Sequence, residues 1–299
     1  MGGADHLDLL RGLNRHLRSQ IRGQDHLLEP VAAALVRAEM GLTPVGRPKG
    51  SFLFVGPTGT GKTELTLAFT QHLLGSNRLS RFDLSEYQNQ SSVEKLLGAG
   101  RDDRGLLGRV LAESDRGTLL FDEMEKAHPL VLDLFLQILD AARITVATGE
   151  TFSLDNWYVV FTSNIGSAEA MRMERSGVSS VQAAVLRRVQ QSLRPELVAR
   201  IEEKHVFCRL GPEILREICA LSVTRETERL RRLGHDIEVS REALEFLVRE
   251  GYHPHLGARP MRRAVEQHLQ NAVVHRMLAT GVVRGRVVLD GKALRVMPS

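Results

Sequence analysis

The stretch GPTGTGKT, from Gly56 to Thr63, has the spacing G-x-x-x-x-G-K-[ST] of a loop that binds nucleotide phosphates. Glycines let such a loop wrap closely, so that several backbone N–H groups point into one concavity. The Lys62 side chain can then reach the β- and γ-phosphates, and the Thr63 hydroxyl can bind Mg²⁺. A chance glycine-rich turn is the alternative, but a strand-like run before the loop and a helical pattern after it favour the phosphate site. The predicted nucleotide contacts are Gly56, Pro57, Thr58, Gly59, Thr60, Gly61, Lys62, Thr63 and Glu64.

The stretch LLFDE ends an apolar run in two carboxylates, Asp122 and Glu123. Asp122 would hold Mg²⁺ through a hydrogen bond or a water, so Thr63 and Asp122 form the predicted metal site. Glu123 would polarise the attacking water as a general base. An acidic pair after a strand can also be a helix N-cap. Its position downstream of a phosphate loop, in the same alternating pattern, favours the catalytic interpretation.

Asn164 closes the next apolar run, VVFTSN. At the tip of a strand, its amide could orient the attacking water between Glu123 and the γ-phosphate. An Asx turn would place an asparagine at the same point, and the residues alone do not separate the two interpretations.

The elements around these residues alternate between strand-like runs and helical patterns, which favours a mostly parallel sheet covered by helices. Two amphipathic helices, at 7–21 and about 25–40, are predicted before the first strand. The predicted strands lie at residues 51–56, 79–83, 117–123, 156–164 and 205–210.

The pattern turns mainly helical after Gly211-Pro212 and ends in a hairpin around the turn dipeptide Asp290-Gly291. A length of 299 residues is typical of two domains. We therefore predict an α/β nucleotide-binding domain at residues 1–210 and a small helical lid domain, with a C-terminal β-hairpin, at residues 211–299.

The composition argues against several other classes of protein. No apolar run approaches the roughly 20 residues that cross a bilayer, and the start MGGADHLDLL lacks the pattern of a secretory signal. Cys208 and Cys219 are too few for a disulfide framework, so we expect two buried thiols in the reducing cytoplasm. The net charge is +4, but the arginine clusters lie among acidic residues and lack interleaved aromatic residues, so we expect no nucleic-acid surface.

Six segments of the chain resemble those of Clp-type AAA+ ATPases and occur in the same order. The similarity is greatest to the second ATPase module of the ClpB-like disaggregases, and it extends from IRGQD to the final hairpin. It implies an AAA+ P-loop NTPase core that hydrolyses ATP with Mg²⁺, assembles as a homo-oligomeric ring of six and remodels protein partners. The segments are GPTGTGKTEL, FDLSEY, LLFDEMEKAHP, FTSNIGS, LRPELVARIEE and LGARPMRRAV.

The resemblance also implies roles for residues that carry no motif of their own. Ile21, Arg22 and Gly23 match the family's adenine pocket, whereas their alternative role is to cap the second helix. Asn164 matches the first sensor. Arg259, in the segment GARP, matches the second sensor, which reaches the γ-phosphate from the lid domain; a surface arginine at a helix start is the alternative.

Arg200, the second arginine of RPELVAR, matches the family's arginine finger. The resemblance implies that it acts on the ATP held by the neighbouring subunit, where such a finger contributes about 10³–10⁵ in rate. Arg194 is expected to support the same subunit interface. The alternative for both arginines is an intrachain salt bridge with Glu202 or Glu203.

The sequence departs from the family pattern in its central loops. No aromatic residue occurs between Tyr87 and Phe121, where family members carry an aromatic pore loop, and the charged run from Arg101 to Arg104 is expected to make polar contacts or to pair between subunits. Residues 140–154 match a second pore-facing hairpin of the family but lack its usual Asp-Gly-Gln-Gly character. No Ile/Leu-Gly-Phe/Leu tripeptide follows the first sensor, so we expect no Clp-type peptidase partner.

These departures leave a second function open beside the ATP-driven protein remodeller. The chain could be a slow, nucleotide-gated assembly or regulatory subunit that does not thread polypeptide, because an aromatic grip is missing. A nucleic-acid loader is a third possibility, indicated only by the isoelectric point of 9.3.

Overall fold

The computed structural model describes residues 3–173, 176–253, 256–281 and 283–298. The chain divides into two compact units. The first comprises residues 1–57 and 61–208, and the second comprises residues 58–60 and 209–299.

The first unit alternates helices with parallel strands, as predicted. Its strands are β1 (Gly50–Val55), β2 (Leu79–Asp83), β3 (Gly117–Asp122), β4 (Arg143–Thr145), β5 (Thr151–Ser153), β6 (Trp157–Ser163) and β7 (Glu203–Val206). Its helices are α1 (Gly3–Gln20), α2 (Asp25–Glu39), α3 (Lys62–Leu74), α4 (Gln90–Leu97), α5 (Gly105–Glu113), α6 (Pro129–Ala141), α7 (Ser167–Arg172), α8 (Val178–Ser192) and α9 (Pro195–Arg200).

A five-stranded parallel sheet forms the centre of this unit, with the strand order β2-β3-β6-β1-β7. Every residue of β1, β3 and β6 is buried, because helices cover both faces of a parallel sheet. The carboxyl ends of these three adjacent strands therefore meet at one edge, which is where ligands bind in open α/β sheets. This α/β architecture confirms the predicted fold class.

Alternate residues of each central strand pack on opposite sides of the sheet. Helices α1, α2 and α3 cover one face, where Phe54 and Tyr158 are fully buried. Helices α4 to α9 contribute to the core on the other face, where Phe135 lies 4.6 Å from Phe121 and 4.8 Å from Phe161 between ring centroids. These two apolar layers fix the strand ends that carry the candidate site.

Two features of the first unit differ from the sequence predictions. The last strand spans Glu203–Val206 rather than 205–210, because Cys208 donates its N–H to the Gln24 side chain instead of continuing the sheet. The first helix spans Gly3–Gln20 rather than 7–21, and Leu7, the first residue of the predicted amphipathic helix, is 43% exposed. The stretch without a peptidase tripeptide forms α7 and α8, with residues 174 and 175 outside the described part.

The second unit packs three helices of the described chain against a small sheet. Its elements are α10 (Pro212–Arg232), β8 (Asp236–Val239), α11 (Arg241–Gly251), α12 (Arg259–Thr280), β9 (Arg284–Asp290) and β10 (Ala293–Met297). Strands β9 and β10 form the predicted antiparallel hairpin. Strand β8 was not predicted; it pairs parallel with β9 and extends the hairpin to three strands.

The remaining predictions from the sequence concern the burial of the two cysteines and the lack of a membrane-spanning segment. Cys219 is buried, and burial raises the pKa of its thiol to about 12. Cys208 is only half-buried, so the expectation of two buried thiols is right for Cys219 alone. Within the described ranges, no helix combines the length and the apolar character that a membrane span requires.

Candidate active site

The phosphate loop begins where β1 ends and continues into α3. Gly56 and Gly61 have backbone φ angles of 138° and 104°, in the region that favours glycine. A Cβ atom on Gly56 would also collide with the carbonyl oxygen of Phe207, whereas a Cβ on Gly61 would meet nothing within 4 Å. The loop therefore requires glycine at position 56 for space and at both positions for conformation.

Lys62 lies at the first residue of α3 and is 8% exposed. Its ammonium donates hydrogen bonds to the carbonyl oxygens of Gly56 (2.6 Å) and Pro57 (2.9 Å) and to Oδ1 of Asn164 (3.1 Å). A buried ammonium needs such acceptors, because burial without partners is costly. The structure thus brings Lys62 and Asn164, which are far apart in sequence, into direct contact.

Asn164 is held in turn by an acidic residue that the sequence analysis did not select. Its backbone N–H donates to Oε1 of Glu125 at 3.0 Å. The other carboxylate oxygen, Oε2 of Glu125, is buried and has no hydrogen-bond partner in the described part of the chain. A water is the natural partner for such an acceptor. The motif LLFDEMEK contains Glu125, so its proximity to Glu123 was the available signal.

Asp122 and Glu123 form a tight acidic turn at the end of β3. Asp122 is 9% exposed, and its Oδ2 accepts a hydrogen bond from Nη2 of Arg81 at 2.5 Å. The Thr162 hydroxyl donates to Oδ1 of the same carboxylate. Each carboxylate oxygen has a second lone pair, so both can still accept from a metal-bound water. Thr63, at the second residue of α3, is half-buried.

Glu123 adopts the left-handed conformation, with φ 58° and ψ 49°. That conformation costs a residue with a side chain about 1–2 kcal/mol, and such strain concentrates at functional sites. The Glu123 N–H donates to the Thr162 hydroxyl oxygen at 3.3 Å. The turn therefore directs the backbone out of the sheet immediately after Asp122, the predicted metal-site carboxylate.

Arg81 and Thr162 complete the acidic turn, and neither was predicted. Arg81 lies on the edge strand β2, one residue before a buried phenylalanine, and resembles an ordinary solvated residue. Thr162 is 1% exposed within the run VVFTSN. A polar residue at a fully buried strand position needs a hydrogen-bond partner, and this requirement could have identified Thr162 from the sequence.

The segment matched to the adenine pocket is anchored to the end of β7. The Gln24 side chain, fully buried, donates to the carbonyl oxygen of Cys208 at 2.9 Å and accepts from its N–H at 3.0 Å. Phe207, the preceding residue, lies against Gly56 of the phosphate loop. The segment Ile21–Gly23 is thereby held beside the start of that loop.

The alternative role of this segment was to cap the second helix. Gln24 occupies the N-cap position of α2, and its side chain makes no capping hydrogen bond. Ile21 is 5% exposed, Gly23 has a φ of 72°, and Nη1 of Arg22 donates to the Ile21 carbonyl at 3.1 Å. These residues lie before the cap and form a turn against the sheet edge.

Arg200 and Arg194 pair with α6 rather than with the acids expected from the sequence. Nε of Arg200 donates to both carboxylate oxygens of Asp140, at 2.5 and 2.6 Å, and Nη1 of Arg194 pairs with Asp133. The alternative of an intrachain salt bridge is therefore observed for both arginines, but its partners are Asp140 and Asp133 and not Glu202 or Glu203. The Arg200 side chain is 34% exposed, and among the described residues it hydrogen-bonds to neither the phosphate loop nor the acidic turn of its own chain.

Arg259 is the first residue of α12, in the second unit, and it is exposed. Pro260 follows it within the first turn, which suits proline at a helix start. The role of Arg259 as the second sensor stays a prediction.

The charged central loop is folded onto its own chain. Asp103 accepts from the N–H of Gly105 at 3.0 Å and from Arg109 at 3.1 Å. Arg104 makes a two-bond ion pair with Glu150, on the loop of the β4–β5 hairpin, and this guanidinium holds the pKa of that carboxyl below its usual value. Of the two expectations for this loop, polar contacts within the chain are observed.

Two family models match the chain. The AAA domain (Cdc48 subfamily) matches residues 47–204, which is more than half of the chain. The C-terminal, D2-small domain of ClpB protein matches residues 210–289.

Individual relatives agree with these matches. Heat shock protein 100 of Trypanosoma brucei brucei is 37% identical over 278 residues, covering 90% of this chain and 32% of that protein. Chaperone protein ClpB of Meiothermus ruber is 38% identical over 285 residues, covering 93% of this chain and 33% of that protein. The chain thus spans about a third of the length of these curated relatives.

A solved structure extends the similarity to three dimensions. A closed-state cryo-EM reconstruction of Hsp104 with ATPγS and FITC casein matches 100% of this chain and 53% of the Hsp104 chain, with a TM-score of 0.87 and 31% identity. Both the sheet-bearing first unit and the small second unit have counterparts in this family. The chain therefore belongs to the AAA+ ATPases and corresponds to the C-terminal ATPase module of the ClpB-like chaperones.

Proposed function

We propose that this chain is the ATP-hydrolysing module of a ring-forming chaperone that remodels protein partners. The observation that carries the proposal is the contact of the Lys62 ammonium with Asn164, beside the tight acidic turn of Asp122 and Glu123. The three adjacent parallel strands β1, β6 and β3 thus lead to the Lys62 ammonium, to Asn164 and to the two carboxylates of Asp122 and Glu123, at one edge of the sheet.

The residues present fit ATP and Mg²⁺ by the chemistry of their donors. Thr63 and Asp122 supply the hydroxyl and carboxylate oxygens that Mg²⁺ prefers, and the metal when bound neutralises charge on the phosphates. Lys62 and the residues Gly56–Glu64 bind the phosphates, and Ile21, Arg22 and Gly23 line the adenine. Glu123 accepts a proton from the attacking water, and Asn164 orients that water.

We propose that residues 1–210 act as the nucleotide-binding domain and residues 211–299 as the lid. Arg259 would then report the γ-phosphate from the lid. Arg200, exposed beside α6, would complete the site of a neighbouring copy, which requires a ring; six subunits is our expectation. The similar Hsp104 structure was determined with casein, and this supports a protein substrate for the present chain. A cytoplasmic location stays a prediction.

The Meiothermus ruber relative is named as a chaperone, which lends no support to the alternative of a slow assembly subunit. The central loop nevertheless lacks an aromatic residue and is tied to the hairpin by Arg104 and Glu150.

Turnover of ATP by Lys62→Ala and Glu123→Gln tests the proposal. Removing the general base should lower kcat by about 10²–10⁴, while Glu123→Gln should still bind nucleotide because it keeps the shape of the side chain. Wild-type turnover in either variant would contradict the proposal. Native mass measurement with and without a slowly hydrolysed ATP analogue gives the ring size.

A further inference from the structure

One buried hydroxyl contacts both residues of the acidic turn, Asp122 and Glu123. Thr162 donates from Oγ1 to Oδ1 of Asp122 and accepts at the same oxygen from the N–H of Glu123. Thr162 is 1% exposed, so water does not substitute readily for either bond. A single atom therefore links the predicted metal ligand to the predicted base.

The position of Thr162 in the sheet explains why a side chain is needed there. The backbone pairing of β3 with β6 ends at Phe121 and Phe161. Two residues later, Glu123 adopts the left-handed conformation, and its N–H donates to the Thr162 hydroxyl oxygen instead of to a strand carbonyl. The Thr162 hydroxyl takes the place of a backbone carbonyl and supplies the acceptor at the point where the sheet ends.

We propose, on the basis of the proposed function, that Thr162 is a positioning residue for ATP hydrolysis. Its hydroxyl holds the Glu123 backbone in the strained conformation and fixes the rotation of the Asp122 carboxylate. Arg81 holds the opposite oxygen of Asp122 from the solvent side. Thr162 touches neither substrate nor metal and acts only through the two acids.

Three variants separate this role from ordinary packing. Thr162→Val removes the hydroxyl and keeps the shape, and Thr162→Ser keeps the hydroxyl. Thr118→Val is the matched control: Thr118 is a fully buried threonine of β3 whose hydroxyl bonds to that of Thr70, at 2.8 Å, and makes no contact with the acidic turn. Thr162→Ala removes the same hydroxyl if the valine variant fails to fold.

The first readout is the split between turnover and affinity for ATP. We expect Thr162→Val to lower kcat at least tenfold, while the Kd for a fluorescent ADP changes less than threefold, because the phosphate loop is intact. Thr162→Ser should stay within threefold of wild type in both. Thr118→Val should unfold at a lower temperature with kcat unchanged.

The second readout needs no nucleotide and tests the hydrogen bond itself. Amide hydrogen exchange at Glu123, resolved by overlapping peptides, should accelerate at least tenfold in Thr162→Val but not in Thr162→Ser or Thr118→Val. If wild type fails to turn over ATP, the proposed function fails, and this exchange measurement alone decides the role of Thr162. Unchanged exchange at Glu123 in Thr162→Val, or an equal loss of kcat in Thr118→Val, overturns the inference.

Discussion

Replacing Arg200 with alanine separates two roles that the structure allows for this side chain. Within its own chain, Arg200 forms a partly exposed ion pair with Asp140, and such pairs contribute about 0–1 kcal/mol to folding. As a finger in a neighbouring site, the same guanidinium would contribute about 10³–10⁵ in rate, which corresponds to about 4–7 kcal/mol of transition-state stabilisation. The two magnitudes differ enough to be distinguished in one assay.

Asp140→Asn is the matched control for this substitution. It breaks the same ion pair and leaves the guanidinium in place. We expect both variants to lose at most about 1 kcal/mol of unfolding free energy in urea. Steady-state ATP turnover should fall by a factor of at least about 10³ in Arg200→Ala and should stay within a few-fold of wild type in Asp140→Asn.

Mixing two inactive variants tests whether the arginine acts between subunits. Lys62→Ala keeps the arginine and loses the phosphate cation, whereas Arg200→Ala keeps the cation and loses the arginine. Mixed rings should therefore recover part of the ATP turnover, because some interfaces combine Lys62 of one variant with Arg200 of the other. Equal turnover of Arg200→Ala and Asp140→Asn, or a mixture no more active than its components, would refute action in trans.

Three further substitutions follow from the geometry. Gln24→Leu should lower the unfolding free energy by about 2 kcal/mol, since two hydrogen bonds to Cys208 are lost at about 1 kcal/mol each; urea unfolding measures it, and no change would contradict the anchoring role. Gly61→Ala should destabilise the folded protein by about 1–2 kcal/mol. Gly12→Ala, inside α1 with open space around it, should stabilise the protein by about 0.5–1 kcal/mol. Shifts of the melting temperature in the same direction for both variants would contradict the role of the positive φ angle at Gly61. The hydrogen bond from the Arg229 guanidinium holds the pKa of Glu226 below its usual value. The ionised carboxylate therefore stabilises the folded state above about pH 4.3, and this stabilisation is lost as the pH falls through the folded pKa. The free energy of unfolding between pH 3 and 6 should depend less on pH in Glu226→Gln.

Local chemistry explains which elements could be predicted from the sequence. The phosphate loop and α3 follow from glycine spacing and helical periodicity, and the helix begins at Lys62, within the predicted loop motif. Strand β8 has only four residues, which is too short for the alternation of apolar and polar residues to be recognised. The error at β7 arose because Gln24, remote in sequence, takes the Cys208 N–H out of the sheet.

The candidate site shows the same limit. Lys62, Asp122 and Glu123 could be selected because motifs fix their residue types. Arg81 belongs to no such motif, and Thr162 lies in FTSNIGS without a role of its own. Their roles depend on which strands become neighbours, as the pairing of β2 and β6 with β3 determines. Local patterns do not encode that choice directly.

The left-handed backbone of Glu123 means that the residue type best for stability at position 123 differs from the type that the proposed chemistry requires. Glycine would occupy that conformation without the steric penalty, and asparagine would tolerate it better than glutamate. A library of variants selected only for surviving high temperature should therefore enrich glycine or asparagine at position 123. The survivors would be more stable proteins that have lost the carboxylate that we propose as the activator of water.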